Sequence, residues 1–260
     1  MKHKTYFKKD GLKKGIYIVP NSITAASLFC GFYAIISSMN LDFAAAASFI
    51  IIAMILDSLD GRIARITKTM SKFGSEFDSL SDLVAFGVAP AILAYNWALS
   101  SFGKVGWLVA FLYVACGALR LARFNVQIGQ IESKYFKGLP IPGAAAVIAT
   151  GIQLYLYLGG EGEFKHLFVL LLIFCLSLSM VSAIRYYSFK DLNYFAKKPL
   201  MSLVLIVFVM TVIVAEPQIM LFTFAFGYGL SGPVWWLMRL IKKPGHEVKE
   251  REEILNTNTK

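Results

Sequence analysis

The chain has 260 residues, 57% of them hydrophobic and 16% charged, with a mean hydropathy of +0.62. That is too apolar for a soluble globular domain, and the apolar residues fall in blocks of about twenty, the length that crosses a bilayer as a helix. The net charge of +10 would suit a nucleic-acid partner if it lined one soluble face. Here the basic residues sit in short connections between apolar blocks, where they act as topology signals, and nucleic acid is excluded as a partner.

In chain order, residues 1–19 form a cytoplasmic or interfacial segment. Lys2, Lys4, Lys8, Lys9, Lys13 and Lys14 are interleaved there with Tyr6, Phe7, Ile16 and Tyr17, and no cleavable signal is expected after them. Residues 20–241 form one transmembrane domain, with spans predicted at 20–39, 42–66, 79–100, 105–127, 140–159, 165–184, 200–215 and 217–241. The last two are divided only by Glu216 and Pro217, which predict a tight hairpin; a single kinked re-entrant segment is the alternative. Residues 242–260 form a polar cytoplasmic tail. The fold class is therefore an all-α integral membrane protein of about eight transmembrane helices. With the N-terminus in the cytoplasm, every basic residue except Lys104 and Lys165 falls on the cytoplasmic side, out of 26 in all. This places both termini, and any site built at the basic ends of the helices, on the cytoplasmic face of the cell membrane. Cys30, Cys116 and Cys175 lie within apolar blocks at spacings that match no metal motif, and are read as inert.

One stretch breaks the apolar rule: Asp57, Asp60, Gly61, Ala64 and Arg65, then Gly74, Asp78 and Asp82. Carboxylates in membrane spans are costly and mark function. At about 100° per residue, Asp60, Gly61, Ala64 and Arg65 lie within about 80° of Asp57 on the second span. Asp82 lies about 40° from Asp78 on the third. An antiparallel return through Thr67, Lys68, Ser71 and Lys72 turns all four carboxylates toward one space. Such a cluster repels itself unless a cation binds, and all-oxygen ligation selects a hard divalent ion, Mg²⁺ or Mn²⁺, over zinc. Pairing of the carboxylates with Arg62, Arg65 and Lys68 would neutralise only part of the charge. Gly61 and Ala64 leave space against the helix for a planar or phosphorylated ligand.

The run Asp57-x2-Asp60-Gly61-x2-Ala64-Arg65-x8-Gly74-x3-Asp78-x3-Asp82 resembles, without departure, the signature of the CDP-alcohol phosphotransferase family. Members displace CMP from a CDP-linked donor with an alcohol. The resemblance implies a bundle fold of that family, with two metal ions held by Asp57, Asp60, Asp78 and Asp82, and Asp82 also serving as general base. It implies contacts to the CDP moiety from Asp57, Gly61, Ala64, Arg65 and Gly74. Asn21 and Thr24 match a family position near the nucleotide; on residue type alone they read as a helix cap. The resemblance also suggests a homodimer.

Residues Phe73 to Ala91, the run Arg120-Leu-Ala-Arg-Phe-Asn125 and the run Lys137-Gly-Leu-Pro-Ile-Pro-Gly143 are similar to the phosphatidylserine synthase branch of that family. This implies CDP-diacylglycerol and L-serine as substrates, within a lipid environment. Arg120, Arg123 and Asn125 end the fourth span at the level of the aspartates, where a guanidinium suits a serine carboxylate; membrane anchoring is the alternative for each Arg. Lys137 is a further candidate substrate contact, or an anchor. Glycerol 3-phosphate, inositol phosphate and choline stand as alternative acceptors. A cation transporter is the alternative from another class, but it calls for acidic residues near the midplane and along both access routes.

Overall fold

The structure is a computed structural model, and it describes residues 9–67, 71–127, 135–162, 164, 166–187, 204, 207, 209–212 and 214–242. Helix α1 runs Lys9–Met39, α2 Phe43–Thr67, α3 Lys72–Phe102, α4 Lys104–Gln127, α5 Ile141–Tyr157, α6 Leu167–Val181 and α7 Pro217–Lys242. The first four carry stretches long and apolar enough to cross a membrane. Helices thus occupy the predicted spans among the described residues, α5 and α6 being shorter, and α1 and α3 begin further into the preceding connections than hydropathy alone suggests. The predicted seventh span lies partly outside the described residues. At its end the chain bends at Glu216, whose N–H donates to the Val212 carbonyl (3.2 Å) and whose carbonyl accepts from Met220 (3.1 Å). Tyr157, at the end of α5, donates to the Glu216 carboxylate at 2.7 Å.

The core is rich in small residues. Ala34, Ala46, Ala47, Ala53, Ala85, Ala89, Ala144 and Ala145 are fully buried, whereas Phe29, Phe111 and Leu119 are exposed. A membrane helix gains nothing by hiding a Leu from lipid, so close approach of backbones through small residues becomes the main packing force. Gly31 of α1 shows how close two helices come. A Cβ there would stand 2.6 Å from the Ala85 Cα, so α1 and α3 touch backbone to backbone.

Helix α3 is not regular. It opens into π-turns over Leu83–Val88 and Tyr95–Leu99. The first precedes Pro90, which has no N–H to offer the carbonyl one turn back, that of Phe86. The Tyr113 hydroxyl of α4 supplies the missing donor at 3.1 Å, from a side chain with no exposed surface. The first π-turn begins immediately after Asp82, consistent with the tendency of π-bulges to fall at functional sites.

Sequence reading missed a two-stranded antiparallel ribbon, β1 (Tyr135–Lys137) with β2 (Arg185–Tyr187), which pairs Tyr135 with Tyr187, Phe136 with Tyr186 and Lys137 with Arg185. It ends at Gly138, whose φ of +82° and contact with the Met180 carbonyl admit no side chain. Tyr186 is fully buried and donates to the Gly229 carbonyl at 3.2 Å, so the ribbon clasps α7.

Replacing Tyr113 with Phe removes this donor from the Phe86 carbonyl. It is expected to destabilise the protein by about 1–2 kcal/mol, as read from thermal unfolding in detergent.

Candidate active site

The site is built where the C-terminal part of α2 meets the N-terminal part of α3. Ser71 caps α3 by accepting the Gly74 N–H at 3.0 Å, which fixes the start of the helix that carries Asp78 and Asp82. Asp57, Asp60 and Asp78 then converge, with one carboxylate oxygen from each lying within 4.8 Å of the others. Asp82 lies outside that trio, one turn beyond Asp78, and its carboxyl is in hydrogen-bond contact with that of Asp57.

Helix α1 holds this arrangement through three hydrogen bonds. Ser27 donates to the Ala53 carbonyl of α2 (3.1 Å), Ser81 of α3 donates to the Thr24 carbonyl (3.2 Å), and the Thr24 hydroxyl donates to Asp60 (2.7 Å). All three hydroxyl residues are buried, as is Asp60, which is only 4% exposed. Thr24, which resemblance placed at the nucleotide, is here spent on orienting an aspartate. Ser27 and Ser81 were not singled out from sequence. Their only signal is a hydroxyl on an otherwise apolar helix face, one turn from Thr24 and from Asp78 respectively.

The remaining predicted residues divide. Gly61 is open, since a Cβ there would meet nothing nearer than the Arg65 guanidinium at 3.9 Å, so a ligand can lie against this backbone beside the carboxylates. Arg65 is exposed, folds back along α2 and donates from Nε to the Gly61 carbonyl at 2.8 Å; Ala64 is half-buried on the same helix. Gly74 lies against α1, where a Cβ would stand 3.2 Å from the Asn21 amide oxygen and 3.2 Å from the Ser71 hydroxyl. Asn125 donates to the Ser79 hydroxyl at 3.0 Å, tying the end of α4 to α3. Arg120 lies within electrostatic range of Asp82, and its Nε is buried without a partner. Arg123 is turned away and donates to the Val181 carbonyl at the end of α6 (3.2 Å). Lys137 is placed in β1, opposite Arg185. Lys68 lies outside the described residues.

The donor set fits a hard divalent cation. Three carboxylates supply oxygen ligands at close quarters, and one Asp78 oxygen is buried with no hydrogen-bond partner, a position that a cation would satisfy. Candidate counter-charges are otherwise directed, Arg65 to a backbone carbonyl and Arg62 to the exterior.

With this geometry in view, comparison with known proteins gives a consistent result. Residues 17–180 match the family model described as CDP-alcohol phosphatidyltransferase. The chain is 38% identical over 230 residues to a CDP-diacylglycerol–serine O-phosphatidyltransferase of Helicobacter pylori, covering 87% of this chain and 94% of that protein. It is 39% identical over 170 residues to an archaetidylserine synthase of Methanothermobacter thermautotrophicus, covering 65% of this chain and 69% of that one. A further relative, a CDP-diacylglycerol–serine O-phosphatidyltransferase of Saccharomyces cerevisiae, is 40% identical over 140 residues, or 48% of this chain and 50% of that protein. The chain belongs to the CDP-alcohol phosphatidyltransferase family. It is thus a multi-pass membrane enzyme of a phosphotransferase class.

Thr24→Val removes the bond that orients Asp60 while preserving shape. It is expected to raise the concentration of Mn²⁺ needed for half-saturation by about 10–100-fold, measured by the loss of the free Mn²⁺ spin-resonance signal.

Proposed function

We propose that the chain transfers the phosphatidyl group of CDP-diacylglycerol to the hydroxyl of L-serine, giving phosphatidylserine and CMP. The observation that carries this is the similarity to the H. pylori enzyme, which extends over 87% of this chain and 94% of that protein. Arg120 supports it, because a guanidinium beside the Asp82 carboxyl is suitably placed for the carboxylate of an amino-acid acceptor. The domain is taken as 20–241, with cytoplasmic flanks at 1–19 and 242–260. The site faces the cytoplasm of the cell membrane on the distribution of basic residues, and the enzyme acts as a homodimer, as family resemblance implies.

The roles follow from position. Asp57, Asp60 and Asp78 would hold Mg²⁺ or Mn²⁺, two ions in all with Asp82 completing the second site; bound there, the metal neutralises the diphosphate and stabilises the CMP leaving group. The open backbone at Gly61, with Ala64 and Arg65 on the same helix, receives the CDP moiety, flanked by Gly74 and Asn21. Because the site is at helix ends, the acyl chains remain in lipid while the head group enters. Asp82 accepts the proton of the serine hydroxyl as its oxygen attacks the lipid-bearing phosphorus. A new P–O bond to serine forms as the P–O bond to CMP breaks, and CMP leaves with the bonding pair. Thr24 and Asn125 act through the residues they hold, Asp60 and Ser79.

The test is CMP release by purified protein with Mn²⁺ or Mg²⁺ and CDP-diacylglycerol, with serine, glycerol 3-phosphate, inositol phosphate and choline as parallel acceptors. A donor with ether-linked isoprenoid chains forms a second arm. Release with serine alone is expected; release only with another acceptor overturns the serine assignment. Asp82→Asn is expected to retain donor binding and lose turnover by about 10²–10⁴-fold. Asp57→Asn and Asp78→Asn are expected to lose metal as well. Turnover retained in Asp82→Asn would remove it as base.

A further inference from the structure

Away from the aspartates, the last turns of α3 and α5 and the first turns of α6 and α7 enclose a cavity of about 280 Å³. Ala94 of α3, Val147 and Ile148 of α5, and Val169 and Ile173 of α6 form its buried wall, none of them more than 6% exposed. Phe222 of α7 lines another side, where a Cβ on Gly151 would stand 3.3 Å from its ring. Three aromatic rings, Trp97, Tyr155 and Phe164, line the end of the cavity farthest along the chain from the aspartates. Their centroids are 5.4 Å apart for Trp97 and Tyr155, 5.5 Å for Trp97 and Phe164, and 4.8 Å for Tyr155 and Phe164. The Phe164 N–H donates to the Trp97 carbonyl at 2.9 Å, which ties this group to the second π-turn of α3. No charged side chain lines the cavity. Leu158 and Phe168, also in its lining, are largely exposed, so the lining continues onto the outer surface of the bundle. Trp97 is buried, and its Nε1 has no hydrogen-bond partner.

The geometry points to a binding site for one acyl chain of a glycerolipid drawn from the leaflet opposite the aspartates. An apolar cavity of this size stays dry and accepts apolar guests, and the apolar molecules that surround a bundle in a bilayer are lipid chains. Trp97 favours a glycerolipid over a plain hydrocarbon. Tryptophan is enriched at the membrane interface, where lipid ester oxygens offer acceptors for an indole N–H that the protein leaves unpaired. The chains of the CDP-linked donor do not account for the cavity. Trp97 follows Asp78 by nineteen residues, roughly 25–30 Å along α3. A lipid whose head group is held at the aspartates reaches only about 15 Å, half the hydrocarbon core. The site is thus separate from the reaction centre, and it does not depend on which acceptor the enzyme uses. A bound chain fills a space between α6, α7 and the rest of the bundle that would otherwise lack packing contacts.

The full chain is reconstituted in phosphatidylcholine vesicles that contain a trace of phosphatidylcholine with a photoactivatable diazirine on one acyl chain, and the labelled residues are mapped by mass spectrometry. Label is expected on the buried wall, at Val147, Ile148 or Ile173, as well as on exposed Phe168, which bulk lipid reaches in any case. Ala94→Leu and Val169→Phe each place extra carbon in the cavity. Either variant is expected to lose the label on the buried wall and to keep it on Phe168, and if one fails to fold the other decides. Phosphatidylcholine added in detergent is expected to raise the apparent melting temperature of the parent chain by more than that of a folded variant. Excess CMP, which competes only for the donor's head-group site, is expected to leave the labelling pattern unchanged. Label confined to exposed residues in the parent chain, or label on the buried wall that persists in a folded variant, overturns the inference. So does loss of that label on adding CMP, which would assign the cavity to the donor. A disulfide between two copies of Phe168→Cys, with no label inside, would assign the cavity to a second chain and overturn it as well.

Discussion

Everything in this molecule is arranged around carboxylates that repel one another. Asp57, Asp60 and Asp78 converge to within 4.8 Å, Asp82 touches Asp57, and Asp60 is almost wholly buried. Such a cluster in a chain of mean hydropathy +0.62 is tolerable only if a cation or a set of fixed dipoles offsets the repulsion. The basic side chains nearest in sequence do not do so, since Arg65 is committed to the Gly61 carbonyl. The protein supplies geometry instead. Helix α1 bonds to both α2 and α3 through Ser27, Thr24 and Ser81, and α4 bonds to α3 through Asn125. Each of these bonds fixes a helix whose own side chains would otherwise push it away from its neighbour.

The small-residue core serves the same end. Two helices can present aspartates to a shared ion only if their backbones are close, and closeness in lipid is set by Ala and Gly at the interfaces. The backbone contact of Gly31 with Ala85 lies next to the π-turn that follows Asp82. There α1 presses on the segment whose hydrogen bonding Pro90 has disturbed, and Tyr113 repairs that segment from the other side. The irregular part of α3 is therefore held from two directions, and Asp82 is the last regular residue before it.

How much of this was legible in the sequence depends on whether the signal was local. The aspartates stood out because ionisable residues are rare in spans, and the helical period alone turned them to one face. The span pattern was legible for the same reason, since a twenty-residue apolar block carries its own identity. Pairings between distant residues were not. Nothing near Tyr135 announces Tyr187, so the ribbon was missed, and the run from Arg185 was read only as a basic connection. Thr24 illustrates the subtler failure. Its proximity to the site was expected, but whether its hydroxyl faced ligand or Asp60 depended on the packing of α1 against α2. Arg120 and Arg123 carry the same chemistry three residues apart, and only the fold separates them, one toward Asp82 and the other onto the end of α6.

That separation bears on how one scaffold can serve different acceptors. The four aspartates and Gly61 lie on α2 and α3, inside the matched 17–180 region. Arg120, within electrostatic range of Asp82, stands near the end of α4. A single long cationic side chain on a helix end is a poor selector, because it has many rotamers and a strong carboxylate beside it. It becomes selective only when its surroundings restrict it. The ribbon, the start of α5 and α7 meet at Tyr186 and Tyr228. The bonds that space the aspartates run among α1, α2 and α3, apart from these elements.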